Sequence, residues 1–351
     1  MERRWVWSAA GLGLLWLAAG AVGQAQDVVR AGPRKYEGTV ARMTPTEVTV
    51  SSGGANEVIP VNLIEGITFG DEPPALRSVR SDVAAARYEP ALATLEKIDV
   101  SQVARAEIRQ EIEYYKAVST ARAALAGDGE VAEALKLLAA FQAAYPSNWR
   151  LLEISELAGE LAVAVGQFAK ARESFETLGR TAPWPEYRIR AAVGVAGALL
   201  GEKKVDEARK FFEAALTMKG DAAMSEPYRR LATLGKARCL AEAKQHEQAL
   251  KIADEMIAQA DPADVSLLAA AYNVKGIALY KASKTKDALY AFLHVETLYA
   301  ADSAAHGEAL YWLVLVWRDL KNAQRALETQ RALEESYPES RFTRELKAAK
   351  R

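Results

Sequence analysis

A small residue that recurs at a nearly constant interval constrains this chain more than any other feature. An alanine followed by an apolar helical stretch returns every 37 to 43 residues, at Ala91, Ala134, Ala171, Ala208, Ala249, Ala288 and Ala326. An interval of this size is typical of repeat proteins built from one supersecondary unit. The pattern predicts a mainly α fold of seven helix-turn-helix units over residues 75–340.

The residues near these alanines explain how such units would hold together. A small side chain lets the two helices of a hairpin approach closely, while Phe175, Phe212 and Phe292, four residues after an alanine, fill the space against the next unit. One hairpin cannot bury its own apolar stripe, so its stability comes from its neighbours. We therefore expect a stacked α-solenoid.

Several positions of the repeat resemble the tetratricopeptide repeat (TPR) family. Gly159 and Gly276 stand at the small position of a first helix, Gly166-Gln167-Phe168 matches the turn between helices, and Tyr145-Pro146 and Tyr337-Pro338 match repeat ends. The chain departs from the family in its longer period, and in having Ala196, Ala237 and Val314 where the family has the small glycine. The resemblance implies a right-handed α-α superhelix over residues 75–345 that binds a protein or peptide on its concave face.

In the family, that face is lined by the first helix of each repeat. Carrying the family's binding positions over to this sequence gives Glu153, Glu156, Glu160, Arg190, Val193, Arg238, Glu242, Asn273, Tyr280, Lys281, Tyr311, Arg318 and Asp319. The carboxylate-binding clamp of some members needs Asn and Lys on successive first helices, and Asn273 is the only residue here that matches this pattern. An ordinary solvated face is the alternative interpretation of these positions.

Residues 27–72 follow a different period. Apolar side chains alternate in Tyr36–Met43 and Glu47–Ser52, Gly53-Gly54 marks a turn, and Pro73-Pro74 ends the region. This alternation predicts a β-meander or small barrel of four or five short strands, similar to SH3-like or Sm-like modules. A module of this size is marginal alone, so we expect it to pack against the helices that follow.

Residues 1–25 have the composition of a signal peptide. Arg3 and Arg4 precede an uncharged apolar stretch, and Gly23 or Ala25 ends a small-residue cleavage motif. We expect export to the periplasm or another extracytoplasmic compartment, with a membrane anchor as the alternative if the leader is not cleaved. The order of leader, β-module and repeats is also similar to that of exported repeat proteins of planctomycete-type bacteria.

The sequence offers no motif for chemistry. Its three histidines lack partners at metal-binding spacing, and no nucleophile or phosphate-loop motif occurs in a suitable context. We expect no enzymatic activity, no cofactor and no metal, and a buried, inert Cys239. With 45 basic and 46 acidic residues, the formal net charge of -1 gives no reason to expect nucleic-acid binding. A protein-binding scaffold is the first interpretation, and a self-associating or membrane-anchored structural component of the cell envelope is the second.

Overall fold

The computed structural model describes residues 26–349, so the predicted signal peptide lies outside the described residues. The described chain begins with five antiparallel strands: β1 (Asp27–Ala31), β2 (Arg34–Met43), β3 (Glu47–Ser52), β4 (Ala55–Pro60) and β5 (Ile64–Thr68). Their order in the sheet is β4-β3-β2-β1-β5. A short 3-10 helix at Val61–Leu63 connects β4 to β5, which pairs with β1 at the other side of the sheet. The predicted small antiparallel β-module is therefore present, with five strands.

One buried ion pair joins this sheet to the helices. Arg105 donates two hydrogen bonds of 2.7 Å to the carboxylate of Asp27 on β1, and the backbone N–H groups of Val40 and Gly70 donate to the same carboxylate. Apolar side chains of the sheet and of the first helices form one hydrophobic cluster, in which Phe69 is almost completely buried. The sheet is thus packed on the start of the helical array.

Fifteen α-helices follow in the described residues, and the first fourteen form seven antiparallel hairpins. Hairpins 1 to 7 are, in order, α1 (Pro74–Ala84) and α2 (Tyr88–Leu95), α3 (Ala106–Ala126) and α4 (Val131–Ala144), α5 (Leu151–Ala164) and α6 (Phe168–Thr181), α7 (Pro185–Gly201) and α8 (Val205–Thr217), α9 (Ala222–Glu242) and α10 (His246–Gln259), α11 (Val265–Lys281) and α12 (Thr285–Leu298), α13 (Ser303–Asp319) and α14 (Ala323–Ser336). A last helix, α15 (Arg341–Ala348), ends the array. The predicted TPR-like solenoid of seven hairpins is confirmed.

No helix within residues 26–349 is both long and apolar enough to cross a bilayer.

Six of the seven hairpins use the same turn. Between the two helices, one residue adopts a left-handed backbone conformation: Ala86, Gly166, Lys203, Lys244, Ser283 or Lys321, with φ between 55° and 73°. In hairpin 3, the N–H of Gln167 donates to the carbonyl of Ala162, which closes the end of α5 as in a Schellman motif. Five of these six residues are not glycine, so the turn does not depend on glycine.

The repeated alanines are buried as the repeat predicts, with exposures of 0–5%. The aromatic side chains lie against glycines of the first helices, and Phe175 contacts two successive ones. A Cβ added at Gly159 on α5 would lie 2.7 Å from the ring of Phe175, and one at Gly194 on α7 would overlap the same ring. Phe175 therefore fits between two helices that lack side chains at the contact points, and Gly235 on α9 gives the same space to Phe212.

The array returns on itself. Helix α13 of hairpin 7 lies against α3 of hairpin 2, and a Cβ added at Gly127 would overlap the carbonyl of Ser336. On α15, Arg344 Nη1 donates a 2.7 Å hydrogen bond to the carbonyl of Val165 in the turn of hairpin 3. We call this junction the seam. Each first helix from α3 to α13 contacts the next first helix, whereas successive second helices lie farther apart, so the first helices line the inner side of this closed turn, which we call the ring.

Candidate functional site

The predicted binding residues lie together on the first helices, and six of the thirteen contact one another. Arg190 on α7 forms a two-pronged ion pair with Glu156 on α5, and Lys281 on α11 lies 2.8 Å from Glu242 on α9. We call this row of contacts between first helices the polar ladder. It brings together residues that are far apart in sequence, on the face where the resemblance places the binding surface.

The polar ladder continues toward both ends of the array. Arg122 on α3 donates to Glu160 on α5 over 2.9 Å, and the hydroxyl of Tyr280 on α11 donates to Asp319 on α13 over 2.7 Å. Glu153 accepts a hydrogen bond from Arg150 over 3.0 Å. Eight of the thirteen predicted residues are thus already paired within the chain.

Two predicted residues are too buried to meet a ligand directly in this conformation. Asn273 is 2% exposed, and its Nδ2 donates to the carbonyl of Ala305 over 2.8 Å. Glu156 is 9% exposed beneath Arg190. Burial raises the pKa of Glu156, and the charge of Arg190 acts against that rise. For these two positions the expectation of a ligand-facing side chain is corrected, because the close approach of neighbouring first helices covers them.

Other predicted residues keep part of their surface free. Arg318 is exposed, while Tyr280, Tyr311 and Glu160 are half-buried. Burial and the neighbouring carboxylate of Asp319 raise the pKa of Tyr280 to about 12, so its hydroxyl stays protonated and can donate a hydrogen bond. These four side chains, together with the exposed Asp319, can contact a ligand on this face without rearrangement.

One ion pair crosses from hairpin 5 to hairpin 7. The guanidinium of Arg238 on α9 lies 2.6 Å from the carboxylate of Glu308 on α13. Burial would raise the pKa of Glu308. The positive charges of Arg238 and, to a smaller extent, of Arg341 on α15 outweigh this effect, so the pKa of Glu308 is lowered. The inside of the ring is therefore narrow here, since two side chains reach over α11.

Sequence reasoning missed Glu308 and Arg341. Glu308 stands at the same place before Ala326 as Glu153 does before Ala171, so the same repeat arithmetic could have found it. Arg341 lies in α15, beyond the seventh unit, and no repeat position predicts it.

Two features bear on possible chemistry among the described residues: metal-binding groups and the single cysteine. No group of three or more His, Cys, Asp or Glu side chains within residues 26–349 is placed to hold a metal ion. Cys239 is 1% exposed, and burial raises the pKa of its thiol to about 11, so the thiol is protonated at neutral pH.

A cavity of about 330 Å³ lies at the seam, and one of about 460 Å³ lies between α9 and α10.

Comparison with known proteins gives a fold and no family. No protein-family model matches the chain, and no curated protein matches it. Among solved structures, it is similar to a tetratricopeptide repeat protein from Parabacteroides merdae, with a TM-score of 0.51 and 16% identity over 75% of this chain and 91% of that one. It is also similar to a Rap protein complexed with Competence and Sporulation Factor, with a TM-score of 0.53 and 15% identity over 76% of each chain. At these identities the likeness shows a TPR-like fold.

Proposed function

We propose that the chain is a non-enzymatic scaffold of the cell envelope that binds a protein or peptide through the inner face of its TPR-like array. The observation that carries the proposal is the continuous row of polar and aromatic side chains that successive first helices present on one face. Repeat arrays bind extended partners on surfaces of this kind. The similar Rap protein, whose structure contains Competence and Sporulation Factor, supports a partner of this class.

The envelope location rests on the leader. Residues 1–25 combine Arg3 and Arg4, an apolar stretch and a small-residue motif, which is the pattern of export. Mass measurement of the mature N-terminus tests it, since cleavage after Gly23 or Ala25 gives a defined mass. An intact leader in a membrane fraction would support the anchored alternative instead.

The seam favours a binder over end-to-end self-association. Hairpin 7 and α15 already contact hairpins 2 and 3 of the same chain. The last hairpin is therefore not a free surface that a second copy could extend. Light scattering at increasing protein concentration should show a monomer.

Site-specific photocrosslinking tests the binding face. A photoreactive phenylalanine analogue at Tyr311 lies on the inner face, and one at Tyr290, which is 65% exposed on α12, serves as the matched control on another surface. Expression in the source cell should give a defined crosslinked species from position 311 and none of the same mass from position 290. The species should also disappear when Tyr280 and Arg318 are both changed to Ala. Crosslinks of the same mass from both positions, or from neither, would contradict binding on this face.

A further inference from the structure

The seam joins the ends of the ring by contacts unlike those between successive hairpins. Each sequential junction is bridged by a hydrophobic cluster: one runs from the sheet to α5, another from α5 to α9, and a third from α9 to α15. None of the four buried hydrophobic clusters among the described residues contains members from both sides of the seam. The apolar burial that stabilises the rest of the array is therefore reduced at this one junction, where α13 on α3 is the main helix contact.

Apart from the close approach of the Gly127 backbone to Ser336, the side-chain contacts that cross the seam are few and mostly polar. Arg344 Nη1 donates to the carbonyl of Val165, and the guanidinium carbon of Arg341 lies 5.7 Å from the centre of the Phe168 ring. Burial lowers the pKa of Arg341, and that guanidinium makes no hydrogen bond or ion pair within residues 26–349 at the distances that define one. Because water takes over such a hydrogen bond when the seam opens, the bond from Arg344 favours the closed state by only about tenfold.

Packing at the seam is also incomplete. The cavity of about 330 Å³ is lined from both sides, by the loop Gly127–Val131 and by the segment Tyr337–Ser340. This cleft is open to solvent, so the two sides of the seam meet over only part of their facing surfaces. Opening the ring here would cost less free energy than separating any two successive hairpins.

From these observations we infer that the seam is a latch: hairpin 7 and α15 move away from hairpins 2 and 3 and thereby open the inside of the ring to an extended peptide. The inference rests on the proposed function for the identity of what enters. The moving part stays folded, because α15 remains packed on α13 and α14 through the buried Leu346 and Thr343. The fixed part is held by the sheet and hairpins 1 to 3.

A disulfide across the seam provides a lock. A Cβ built on Gly166 lies 3.4 Å from the Cβ of Arg341, close to the separation of about 3.5–4.5 Å that a disulfide requires. Gly166→Cys is compatible with the turn, because Ser283 holds the same left-handed position in hairpin 6. Cys239 is buried and does not compete. The double variant Gly166→Cys/Arg341→Cys is thus locked when oxidised and free when reduced.

The first experiment measures opening without any partner. Spin labels on cysteines introduced at Glu130 and Lys347, both exposed on opposite sides of the seam, report the distance across it in a Cys239→Ser background. We expect a second, longer distance whose population rises about tenfold in Arg344→Ala, the factor that one hydrogen bond to a charged group is worth. Arg331→Ala, an exposed arginine on α14, is the control and should leave the distribution unchanged. A single short distance in the parent, in Arg344→Ala and in Arg341→Ala/Arg344→Ala would overturn the latch.

The second experiment links opening to binding. A displayed library of random twelve-residue peptides is selected on the reduced double variant, and the recovered peptides are tested on the oxidised form. We expect at least about tenfold weaker binding to the locked ring, since a peptide that needs the open state loses the population that binds it. Equal binding to both forms would overturn the gating role. Failure to recover any peptide from either form would count against the proposed function, while the distance measurement still decides whether the seam opens.

Discussion

Arg238 and Glu308 form an ion pair that bypasses the hairpin between them. Their side chains meet at 2.6 Å from α9 and α13, the first helices of hairpins 5 and 7, and Glu308 is 9% exposed. The contact sets how far hairpins 5 and 7 curve around hairpin 6. The ion pair therefore stabilises the curvature that brings hairpin 7 into contact with hairpin 2.

Arg238→Gln and Glu308→Gln should each destabilise the protein by about 2–4 kcal/mol, because each leaves a buried charge without the group that it pairs with directly. Their double variant should lose less than the sum of the two, with a coupling free energy of about 1–3 kcal/mol in a cycle of chemical denaturations. Lys251 and Glu255 on the exposed side of α10 are the control pair, at 3.9 Å, and should couple by less than about 0.5 kcal/mol. Strictly additive effects for Arg238 and Glu308 would show that the ion pair has no energetic role.

Two glycines of α7 should respond in opposite directions to the same substitution. A Cβ at Gly194 would overlap the ring of Phe175, whereas one at Gly197 would meet no atom within 4 Å. Gly194→Ala should therefore destabilise by about 1–3 kcal/mol through overpacking. Gly197→Ala should stabilise by about 0.5–1 kcal/mol, because alanine favours the helix. Thermal and urea denaturation compare the two variants, and a stabilising Gly194→Ala would refute the interlock between ring and glycine.

Truncation of an interlocked ring should be costly. Phe175 is 5% exposed between two first helices, and Phe175→Ala should destabilise by about 3–5 kcal/mol. Phe211 on α8 is 40% exposed, and Phe211→Ala should cost less than about 1.5 kcal/mol. Denaturant midpoints for the two variants test the difference, and similar losses at both positions would be inconsistent with it.

The ion pair between Asp27 and Arg105 should make stability depend on acid. Burial would raise the pKa of Asp27, but the hydrogen bonds from Arg105, Val40 and Gly70 outweigh it and lower the pKa below its ordinary value of 3.8. A folded-state pKa below the unfolded one means that the ionised group stabilises the fold above pH 3.8, and that this contribution is lost as the pH falls through the folded pKa.

Asp27→Asn should accordingly destabilise by about 1–3 kcal/mol at pH 7, the cost of weakened charged hydrogen bonds. The difference in stability between this variant and the parent should shrink as the pH falls below about 4, because Asp27 becomes protonated first in the unfolded parent chain, and should vanish once the pH is below the folded-state pKa. Glu65→Gln on the exposed side of β5 is the control and should show no such convergence. Stability curves between pH 3 and 7 make the comparison, and a penalty that stays constant with pH would contradict the role of the ionised carboxylate.

The hairpins could be predicted from the sequence because each depends on local periodicity and on one small residue. Ala171 and Ala288 are fully buried where the repeat requires a close helix approach. The period alone, however, led to Ala196 and Ala237 as substitutes for the family's glycine. The structure shows that Gly194 and Gly235, two residues earlier on the same helices, give the space to the aromatic ring of the preceding hairpin. The contact lies between units, so a pattern within one unit does not reveal it.

The sequence was sufficient to predict where the candidate site lies, but not which of its side chains are paired with each other. The repeat arithmetic placed Glu156, Arg190 and Tyr280 on one face, where the structure has them. It could not show that Glu156 and Arg190 neutralise each other, because pairing depends on the angle between successive first helices. The closure of the ring was equally hidden, since small rotations between units accumulate along the array and no local pattern records their sum.

Ring closure also limits how the length of such a chain can change. An open array can gain or lose a terminal unit with effects confined to that end, because each unit touches only its neighbours. Here Gly127 packs against the carbonyl of Ser336, and the carbonyl of Val165 accepts a hydrogen bond from Arg344. A deleted or duplicated hairpin would move these partners out of reach of each other. The number of hairpins is thereby fixed by geometry, and homologous chains that keep the seam should vary in their loops rather than in their unit count.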